Sequence, residues 1–366
     1  MMMMMKAIWE TAKEITLQRI QLRSAALLIP NQLDGLCVIV TGSTNGIGYH
    51  TARELAFAAA HVIMACQRVD GAKKIAERWK EDTGDVKTLH VEVMELDLLS
   101  LSSVRQFTAK WDQSGKPLHI LINNAGILLL GGNLWRMDSR SIFKLITSAP
   151  CCSPFFCSHS MLKANSASIV NVNSTGHHWG AVEPKSWKIG AKEERKFSSS
   201  MSYGSSKLAQ AKFPPQHIFK HAAHVSKGLG AKLISKAKIS VLCVAAHPGI
   251  VESNLRWLFD AFSRLSNGRM RGFWMLDPSE GARNSLFCSV GADVPFNTTE
   301  NFAYYSQCTH GRMSSLADDT KKCSRVWDET LHFLGFSPNG CLSEIYLPQQ
   351  KSEYCIKNRP VFNAHP

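Results

Sequence analysis

The sequence predicts an α/β fold in which helices cover both faces of a doubly wound parallel sheet. From residue 36 onward, short apolar runs alternate with segments of helical spacing, about 10–15 residues long. The apolar runs are nearly continuous, which is typical of parallel strands buried on both faces. With 366 residues, the chain is long enough for one large α/β domain with extensions at both ends.

The predicted elements follow one another in regular order. The first strand, LCVIVTG (36–42), leads through a glycine-rich turn into a helix at 47–60. The elements after it are a strand at 61–67, a helix at 71–82, a strand at 88–97, a helix at 101–113, and strands at 118–126, 167–174 and 239–249. We assign residues 34–290 to this domain, 1–33 to an N-terminal extension and 291–366 to a C-terminal extension. In the C-terminal extension the periodicity fades, although 323–336 still has the pattern of an amphipathic helix.

Composition narrows the classes of partner. The formal net charge of +13 would suit nucleic acid, but lysines and arginines are spread along the chain without a basic block, so no nucleic-acid partner is expected. The 11 cysteines form no CxxC pair or zinc-type cluster with histidine, so we expect no metal and a reducing compartment. The oligomeric state is left open.

The N-terminal extension favours a location in the cytoplasm or at a membrane surface, and not secretion. Residues 1–30 mix lysine and arginine with isoleucine and tryptophan, as a helix lying on a membrane surface does. A frayed, solvated helix explains the same pattern equally well. The chain contains no run of 18 apolar residues that would predict an ordinary transmembrane helix.

The turn after the first strand is the first sign of a cofactor. In TGSTNGIG (41–48), Gly42, Gly46 and Gly48 follow a strand and open a helix. Glycines there allow a tight turn and let backbone N–H groups approach a pyrophosphate at the positive end of the helix. The spacing resembles the TGxxxGxG of the short-chain dehydrogenase/reductase family.

Three further stretches fall where that family has them. NNAG (123–126) ends the fourth strand, Ser174 ends the fifth, and YGSSK places Tyr203 four residues before Lys207. Together with NVNSTGHHWG and HPGIVESNL, these motifs resemble the retinol-dehydrogenase-like branch. The resemblance implies a Rossmann-type domain and an NAD(P)-dependent enzyme that interconverts a hydroxyl and a carbonyl on a small, lipophilic alcohol, aldehyde or ketone.

The resemblance implies a Ser-Tyr-Lys site with Tyr203 as acid/base, Lys207 holding the nicotinamide ribose and Ser174 orienting the carbonyl. Physical chemistry agrees with these roles. Residues i and i+4 share a helix face, so Lys207 can lie near Tyr203. A cation there would lower the phenol pKa from about 10 toward a useful range. Ser174 can donate to the developing oxyanion.

The resemblance also implies the cofactor-binding residues. These are Gly42, Ser43, Thr44, Asn45, Gly46, Ile47, Gly48, Arg68, Asp97, Asn124, Ala125, Gly126, Tyr203, Lys207, Pro248, Gly249, Val251 and Ser253. The second strand ends without an acidic residue, and Arg68 follows closely, one place later than in similar proteins. An arginine there accommodates the 2′-phosphate, so NADP(H) is favoured over NAD(H). His177 and His178 are expected to face solvent.

Residues 137–160 do not fit the pattern. A helix should join the fourth and fifth strands, but this stretch contains Pro150, Pro154 and three cysteines. Codons for MDSRSIFKLITSAP (137–150), read one frame over, can encode GFEEHFQVNHLGP, and the next residues LLLSLLLLPL. That string resembles the family's helix, including an Asn of the catalytic tetrad at position 146 or 147.

We therefore hypothesise that 137–160 are a frame-shifted version of the helix, through an error in the gene model or the sequencing, or through a real pair of indels. The prolines at 214 and 215 indicate an insertion or a second corrupted stretch at 212–238. Without the Asn and the leucine-rich helix, a second hypothesis stays open, in which the chain is a non-catalytic nucleotide-binding protein with a regulatory or interaction role. The apolar stretches 255–265 and 272–276 are expected to line the substrate pocket.

Overall fold

The described part of the chain forms an eight-stranded sheet with helices packed on it. The computed structural model describes residues 13, 16–18, 33–84, 89–126, 160–161, 163–164, 166–178, 180, 199–212, 240–251, 275–291, 294, 302–311, 313, 321 and 325. The strands are β1 (Cys37–Thr41), β2 (His61–Cys66), β3 (Val91–Glu95), β4 (Ile120–Asn123), β5 (Ser166–Val172), β6 (Ser240–His247), β7 (Phe302–Ser306) and β8 (Thr309–His310). The helices are α1 (Gly46–Phe57), α2 (Val69–Thr83), α3 (Leu101–Gln113), α4 (Ser199–Lys212) and α5 (Pro278–Val290).

The strand order is β3-β2-β1-β4-β5-β6-β7-β8. Strands β1 to β7 pair in parallel, and β8 joins β7 antiparallel. The chain progresses outward in one direction from β1 to β3 and then restarts on the other side of β1 at β4. Ligands of such sheets bind in the crevice at the carboxyl ends of the strands where the order reverses. The predicted doubly wound parallel sheet is confirmed.

The central strands are buried because both faces are covered. All five residues of β1 are buried, and β4 is buried along its length. Beneath the sheet face, α2 places Trp79 fully inside, where its Nε1 donates a hydrogen bond to the Tyr49 hydroxyl of α1 at 3.1 Å.

The sheet extends past residue 290, where the sequence suggested that the domain ends. β7 pairs with β6 in register Cys243 to Phe302, and Ala303, Tyr304 and Tyr305 are buried in it. A five-residue strand surrounded by polar residues has too few apolar positions to give a periodic signal. The last strands therefore belong to the domain.

Helix α5 was not predicted, because its buried face is made of small and polar residues, including Gly281, Asn284 and Ser285. Its start nevertheless carries a capping box. The Asp277 carboxylate accepts from the N–H groups of Ser279 and Glu280, and the Glu280 carboxylate accepts from the N–H of Asp277. Such reciprocal caps stabilise a helix whose apolar face is weak.

Five cysteines in the described residues are free, and four of them are buried. They are Cys37, Cys66, Cys243, Cys288 and the half-buried Cys308. Burial raises the pKa of each of these thiols above its ordinary value.

Several expectations fall outside the described residues. These are the pocket stretch 255–265, Ser253, residues 213–238 of the irregular stretch 212–238, and residues 137–159. Ser160 is described: it is buried, and its hydroxyl donates to Asp112 at 3.1 Å. The predicted helix at 323–336 is described only at Arg325. In the part of the chain that can be assessed, no helix has the length and apolarity needed to span a bilayer.

Candidate active site

The glycine turn between β1 and α1 is shaped by backbone conformations that favour glycine. Gly42 and Gly46 have φ of +65° and +57°, in the left-handed region. Gly48 needs glycine for space, because a Cβ there would collide with the Asn124 side chain and the Gly42 carbonyl. Asn45 caps α1, accepting at its side chain from the Gly46 N–H at 2.7 Å. The turn therefore leaves its backbone without side chains next to the positive, N-terminal end of α1 at these glycine positions.

Thr41 and Asn124 tie this turn to the end of β4. The Thr41 hydroxyl accepts from the N–H groups of Asn124 and Ala125, both at 3.0 Å, and donates to the Ile122 carbonyl at 3.3 Å. The Asn124 amide donates to the carbonyls of Thr41 and Gly42 at 3.0 and 3.2 Å. Sequence reasoning missed Thr41, although it stands at the head of the quoted glycine motif.

The floor of the turn contains a polar atom without a visible partner. Ser43 is fully buried, and its Oγ has no hydrogen-bond partner among the described residues. On the other side, α5 approaches closely: a Cβ on Gly281 would collide with Val251 and come within 3.3 Å of Ile47. A buried hydroxyl and a glycine-lined cradle could together hold a phosphate group.

Ser174, Tyr203 and Lys207 lie together at the carboxyl end of β5. Ser174 follows the strand, and its Oγ accepts from the Gly176 N–H at 3.2 Å. The Tyr203 ring packs on Gly176, where a Cβ would come within 3.2 Å of the ring. Burial raises the pKa of the Tyr203 phenol, and its hydrogen bond with Ser174 offsets only part of that effect.

The side chain of Lys207 is buried beside Tyr203 but turned toward other acceptors. Its Nζ lies 5.8 Å from the centroid of the Tyr203 ring. It donates to the Val172 carbonyl at 2.7 Å and to the Gln210 side-chain oxygen at 3.0 Å. Burial lowers the pKa of Lys207 to about 7. The lowering of the phenol pKa expected from a nearby cation is not seen in this structure, because desolvation by burial raises the pKa of Tyr203.

Asn173, which sequence reasoning did not single out, connects the two halves of this site. Its side chain is 2 % exposed. The side-chain oxygen accepts from the Ser174 N–H at 2.6 Å, and the amide nitrogen donates to the Lys207 carbonyl at 3.2 Å. One buried side chain thus sets the distance between the strand end and α4. The quoted NVNS motif contained this residue without indicating its role.

The expectation that His177 faces solvent is wrong. His177 is fully buried in the short 3-10 turn Thr175–His178, while His178 is half-buried. The His177 Nδ1 lies 2.6 Å from the Ser174 carbonyl, to which it donates, and the ring packs on Tyr304 with centroids 5.4 Å apart. Burial lowers the pKa of His177 to about 3, so the ring is neutral at physiological pH. The turn folds inward because β7 supplies an aromatic side chain to cover it.

The turn after β6 receives a residue from the N-terminal extension. Gly249 has φ of +85°, and the following Ile250 N–H donates to the Gln18 side-chain oxygen at 3.0 Å. Gln18 is fully buried, whereas Leu17 is 37 % exposed. Pro248 and Gly249 are buried and Val251 is half-buried at this turn.

The two residues expected at the adenosine end lie on separate loops. Arg68 is exposed at the start of α2. Asp97 is half-buried after β3, and its carboxylate accepts from the Leu99 N–H at 2.9 Å. No cluster of three or more histidine, cysteine or acidic side chains suited to a metal occurs among the residues with described positions.

Comparison with known proteins identifies a family and several relatives that this chain resembles. The short chain dehydrogenase family model matches residues 36–183, which include the glycine turn and Ser174. A dehydrogenase/reductase SDR family member, FEY, of Arabidopsis thaliana is 34% identical over 322 residues, covering 84% of this chain and 81% of that protein. Human retinol dehydrogenase 11 is 29% identical, covering 83% of this chain and 87% of its own length.

Solved structures share the fold. An uncharacterised protein from Mycobacterium paratuberculosis superimposes with a TM-score of 0.56 at 22% identity, covering 84% of this chain and 96% of that chain. A gluconate 5-dehydrogenase from Burkholderia cenocepacia J2315, in complex with NADP and tartrate, gives a TM-score of 0.51 at 18% identity, covering 76% of this chain and 95% of that chain.

Proposed function

The chain belongs to the short-chain dehydrogenase/reductase family, and on that premise we propose that it interconverts a hydroxyl and a carbonyl on a small, lipophilic substrate with a nicotinamide cofactor. The observation that carries this proposal is the convergence of Ser174, Tyr203 and Lys207 at the strand ends beside the glycine turn. Membership of the family supports an NAD(P)-dependent oxidoreductase. The retinol dehydrogenases among its relatives support a lipophilic alcohol, aldehyde or ketone as substrate.

Each of the three side chains has a distinct role in the proposal. Tyr203 is the proton donor in reduction and the acceptor in oxidation, acting at its phenol oxygen. Ser174 donates to the substrate oxygen as negative charge develops there. Lys207 supplies the positive charge that favours phenolate and binds the nicotinamide ribose. Because Tyr203 and Ser174 already contact each other, both hydroxyls can address one substrate oxygen.

The residues at the glycine turn fit a dinucleotide. The buried Ser43 hydroxyl and the space kept free by Gly48 are suited to a diphosphate, with the N-terminal N–H groups of α1 as donors. Bound there, the cofactor supplies or accepts the hydride. The proposed site further comprises Thr44, Asn45, Gly46 and Ile47 of the turn, Ala125 and Gly126 after β4, and the turn after β6, with Ser253 beyond it.

We propose NADP(H) rather than NAD(H) as the preferred cofactor. The exposed Arg68 lies after β2 without an acidic residue at the strand end, so it is available to a 2′-phosphate. Asp97, by its place after β3, is assigned to the adenine. The proposed membrane-surface contact of the N-terminal extension rests on a region of which only residues 13, 16–18 and 33 are described, so it stays a prediction.

The test of cofactor preference is a titration of the purified chain with NADPH and NADH. We expect NADPH to bind at least tenfold more tightly, which is about 1.4 kcal/mol. Arg68→Asp should reverse the preference, whereas Lys73→Asp, an exposed lysine farther along α2, should leave it nearly unchanged. Tighter NADH binding to the unaltered chain would refute the assignment.

The test of the reaction is NADPH oxidation with a panel of retinoid, steroid and simple carbonyl compounds. Turnover that depends on Tyr203 supports the proposed enzyme. Tight cofactor binding without turnover on any carbonyl or alcohol would instead support the non-catalytic nucleotide-binding protein.

A further inference from the structure

Gln210 is a buried polar residue to which the proposed function assigns no role. It lies three residues after Lys207 on the same face of α4, and its side chain is only 1 % exposed. Burying an amide costs free energy unless its polar atoms are hydrogen-bonded. Its oxygen accepts from the Lys207 Nζ at 3.0 Å, so the amide is buried against the ammonium.

The Lys207 ammonium is thus held by two oxygens of different kinds. The Val172 carbonyl belongs to the backbone of β5 and cannot be changed by substitution, whereas the Gln210 oxygen belongs to a side chain. Among the described residues, these are the two acceptors within hydrogen-bond distance of Nζ. A lysine has three N–H donors, so this arrangement uses two and leaves one for the phenol or the ribose.

We propose that Gln210 is a positioning residue that keeps Lys207 protonated and held beside Tyr203, and that it thereby sets the pH range in which Tyr203 can work. This inference rests on the proposed function. An uncharged acceptor favours the ammonium over the free amine without neutralising it, because a hydrogen bond to the charged form stabilises that form. A carboxylate at the same place would over-stabilise the ammonium and compete with the phenolate, whereas an aliphatic side chain would leave the ammonium with one acceptor.

In the described part of the chain, the surroundings of Lys207 contain few other groups that could set its protonation. On α4 itself the nearest titratable group is Tyr203. From the 3-10 turn that packs on α4 comes His177, which is neutral throughout the working range because burial lowers its pKa to about 3. The end of β5 (172–174) and the loop after β4 (124–126) present backbone groups and uncharged side chains. Of the side chains with described positions, Gln210 is therefore the one through which the protonation of Lys207 can be tuned.

The direct test measures the protonation of Lys207 in the full chain without cofactor or substrate. Lysine labelled with ¹³C at Cε is incorporated, the Lys207 signal is identified by its loss in Lys207→Arg, and its titration is followed by NMR. We expect Gln210→Leu to lower the midpoint by about one pH unit, a tenfold change in the protonation constant, and Gln210→Glu to raise it by at least as much. Gln210→Asn should give an intermediate midpoint, because the asparagine side chain is one methylene shorter and its oxygen reaches less far toward the Lys207 Nζ.

The matched control is Leu208→Val, a fully buried residue on the same helix. It should lower the melting temperature but leave the midpoint of Lys207 unchanged, so general loosening of α4 is separated from loss of the acceptor. In the active enzyme, the alkaline limb of the kcat profile for alcohol oxidation should move to lower pH in Gln210→Leu and to higher pH in Gln210→Glu. These shifts follow because the phenolate loses its neighbouring cation when Lys207 is deprotonated.

Two results would overturn the inference. One is a Lys207 midpoint in Gln210→Leu and Gln210→Glu that lies within about 0.2 units of the unaltered chain. The other is a shift of equal sign and size in both variants and in Leu208→Val, which would show that Gln210 only packs. A chain that titrates as expected but turns over no carbonyl would refute the proposed function and leave the role of Gln210 toward Lys207 intact.

Discussion

Tyr203 shows how one side chain of the candidate site takes its surroundings from separate parts of the chain. Its ring rests on Gly176, its hydroxyl meets Ser174, and its carbonyl accepts from the Ser206 hydroxyl one turn later on α4. Burial raises its pKa, so the isolated chain holds a neutral phenol that is ready to donate a proton.

Tyr203→Phe should abolish turnover while leaving the affinity for cofactor nearly intact. The substitution removes one oxygen, and general acid–base catalysis of this kind contributes about 10²–10⁴-fold. The measurement is kcat in both directions together with the NADPH dissociation constant. Tyr49→Phe, which loses a hydroxyl bonded to Trp79 instead, is the matched control and should keep full activity. Activity retained in Tyr203→Phe would remove Tyr203 from the proposed chemistry.

Gly48 offers a test of the cofactor cradle. In Gly48→Ala the added methyl group collides with Asn124 and the Gly42 carbonyl, so the turn must shift where the diphosphate is proposed to bind. We expect NADPH affinity to fall by tenfold or more, equivalent to about 1.4 kcal/mol. Gly71→Ala in α2, where a Cβ would meet no atom within 4 Å, should bind NADPH as the unaltered chain does. Equal affinity in both variants would place the diphosphate elsewhere.

At the scale of elements, α5 depends strongly on its first residues. Asp277→Ala removes the cap of α5 and should lower stability by about 1 kcal/mol, or the melting temperature by about 2–4 °C. Partial burial raises the pKa of Asp277, but hydrogen bonds from Ser279 and Glu280 outweigh it and hold the pKa below its usual value. A depressed carboxyl pKa stabilises the fold above the unfolded pKa, and this contribution is lost as pH falls through the folded value.

The pH dependence of stability distinguishes the contribution of the Asp277 charge from that of its hydrogen bonds to the helix N–H groups. Asp277→Asn keeps an acceptor for the helix N–H groups, so at neutral pH it should be more stable than Asp277→Ala. Its melting temperature should fall less than that of the unaltered chain between neutral pH and about pH 3, because no carboxylate is protonated at this position. If both variants lose stability in acid as steeply as the unaltered chain, the cap contributes nothing through its charge.

The sequence predicted correctly those elements that have a local hydrophobic pattern. It did not predict features that depend on contacts between residues far apart in the chain. The helix predicted at 101–113 matches α3 residue for residue, and the apolar runs of β1, β2 and β4 needed only their composition to be recognised. The burial of His177 could not be predicted, because the aromatic residue that covers it comes from β7, more than 120 residues later. For the same reason, the contact of Gln18 with the turn after β6 has no local signal.

At the scale of the whole molecule, we expect the segment between β4 and β5 to affect the stability of the chain strongly. Residues 137–160 can be replaced with DGFEEHFQVNHLGPLLLSLLLLPL, which is the shifted-frame sequence preceded by the aspartate of the family-like helix. This replacement should restore an apolar helix face and the Asn at position 146. Each buried leucine or phenylalanine stabilises by about 1.5–3 kcal/mol, against a total of about 5–15 kcal/mol for a domain. Several restored side chains should therefore raise the melting temperature markedly, and turnover with it.

The comparison requires both chains purified alike and followed by calorimetry and NADPH oxidation. A scrambled version of the replacement, with the same composition but no helical periodicity, is the control for added hydrophobicity. If the chain as written already melts cooperatively and reduces carbonyls as fast as the repaired chain, the frame-shift hypothesis is wrong and 137–160 are a genuine structural variant.

The buried cysteines can be used to follow the order in which parts of the sheet unfold. Cys37, Cys66 and Cys243 lie on three different strands, and Cys288 lies on α5, all with thiols that are shielded from solvent and protonated at neutral pH. An alkylating reagent can modify these thiols only after the surrounding structure opens. The time at which each cysteine becomes alkylated therefore reports when the structure around it opens. Brief exposure to such a reagent during heating, followed by peptide mapping, would give the sequence in which the β1–β2 half and the β6–α5 half come apart. The native cysteines can therefore report on the opening of these two halves without any cysteine being introduced.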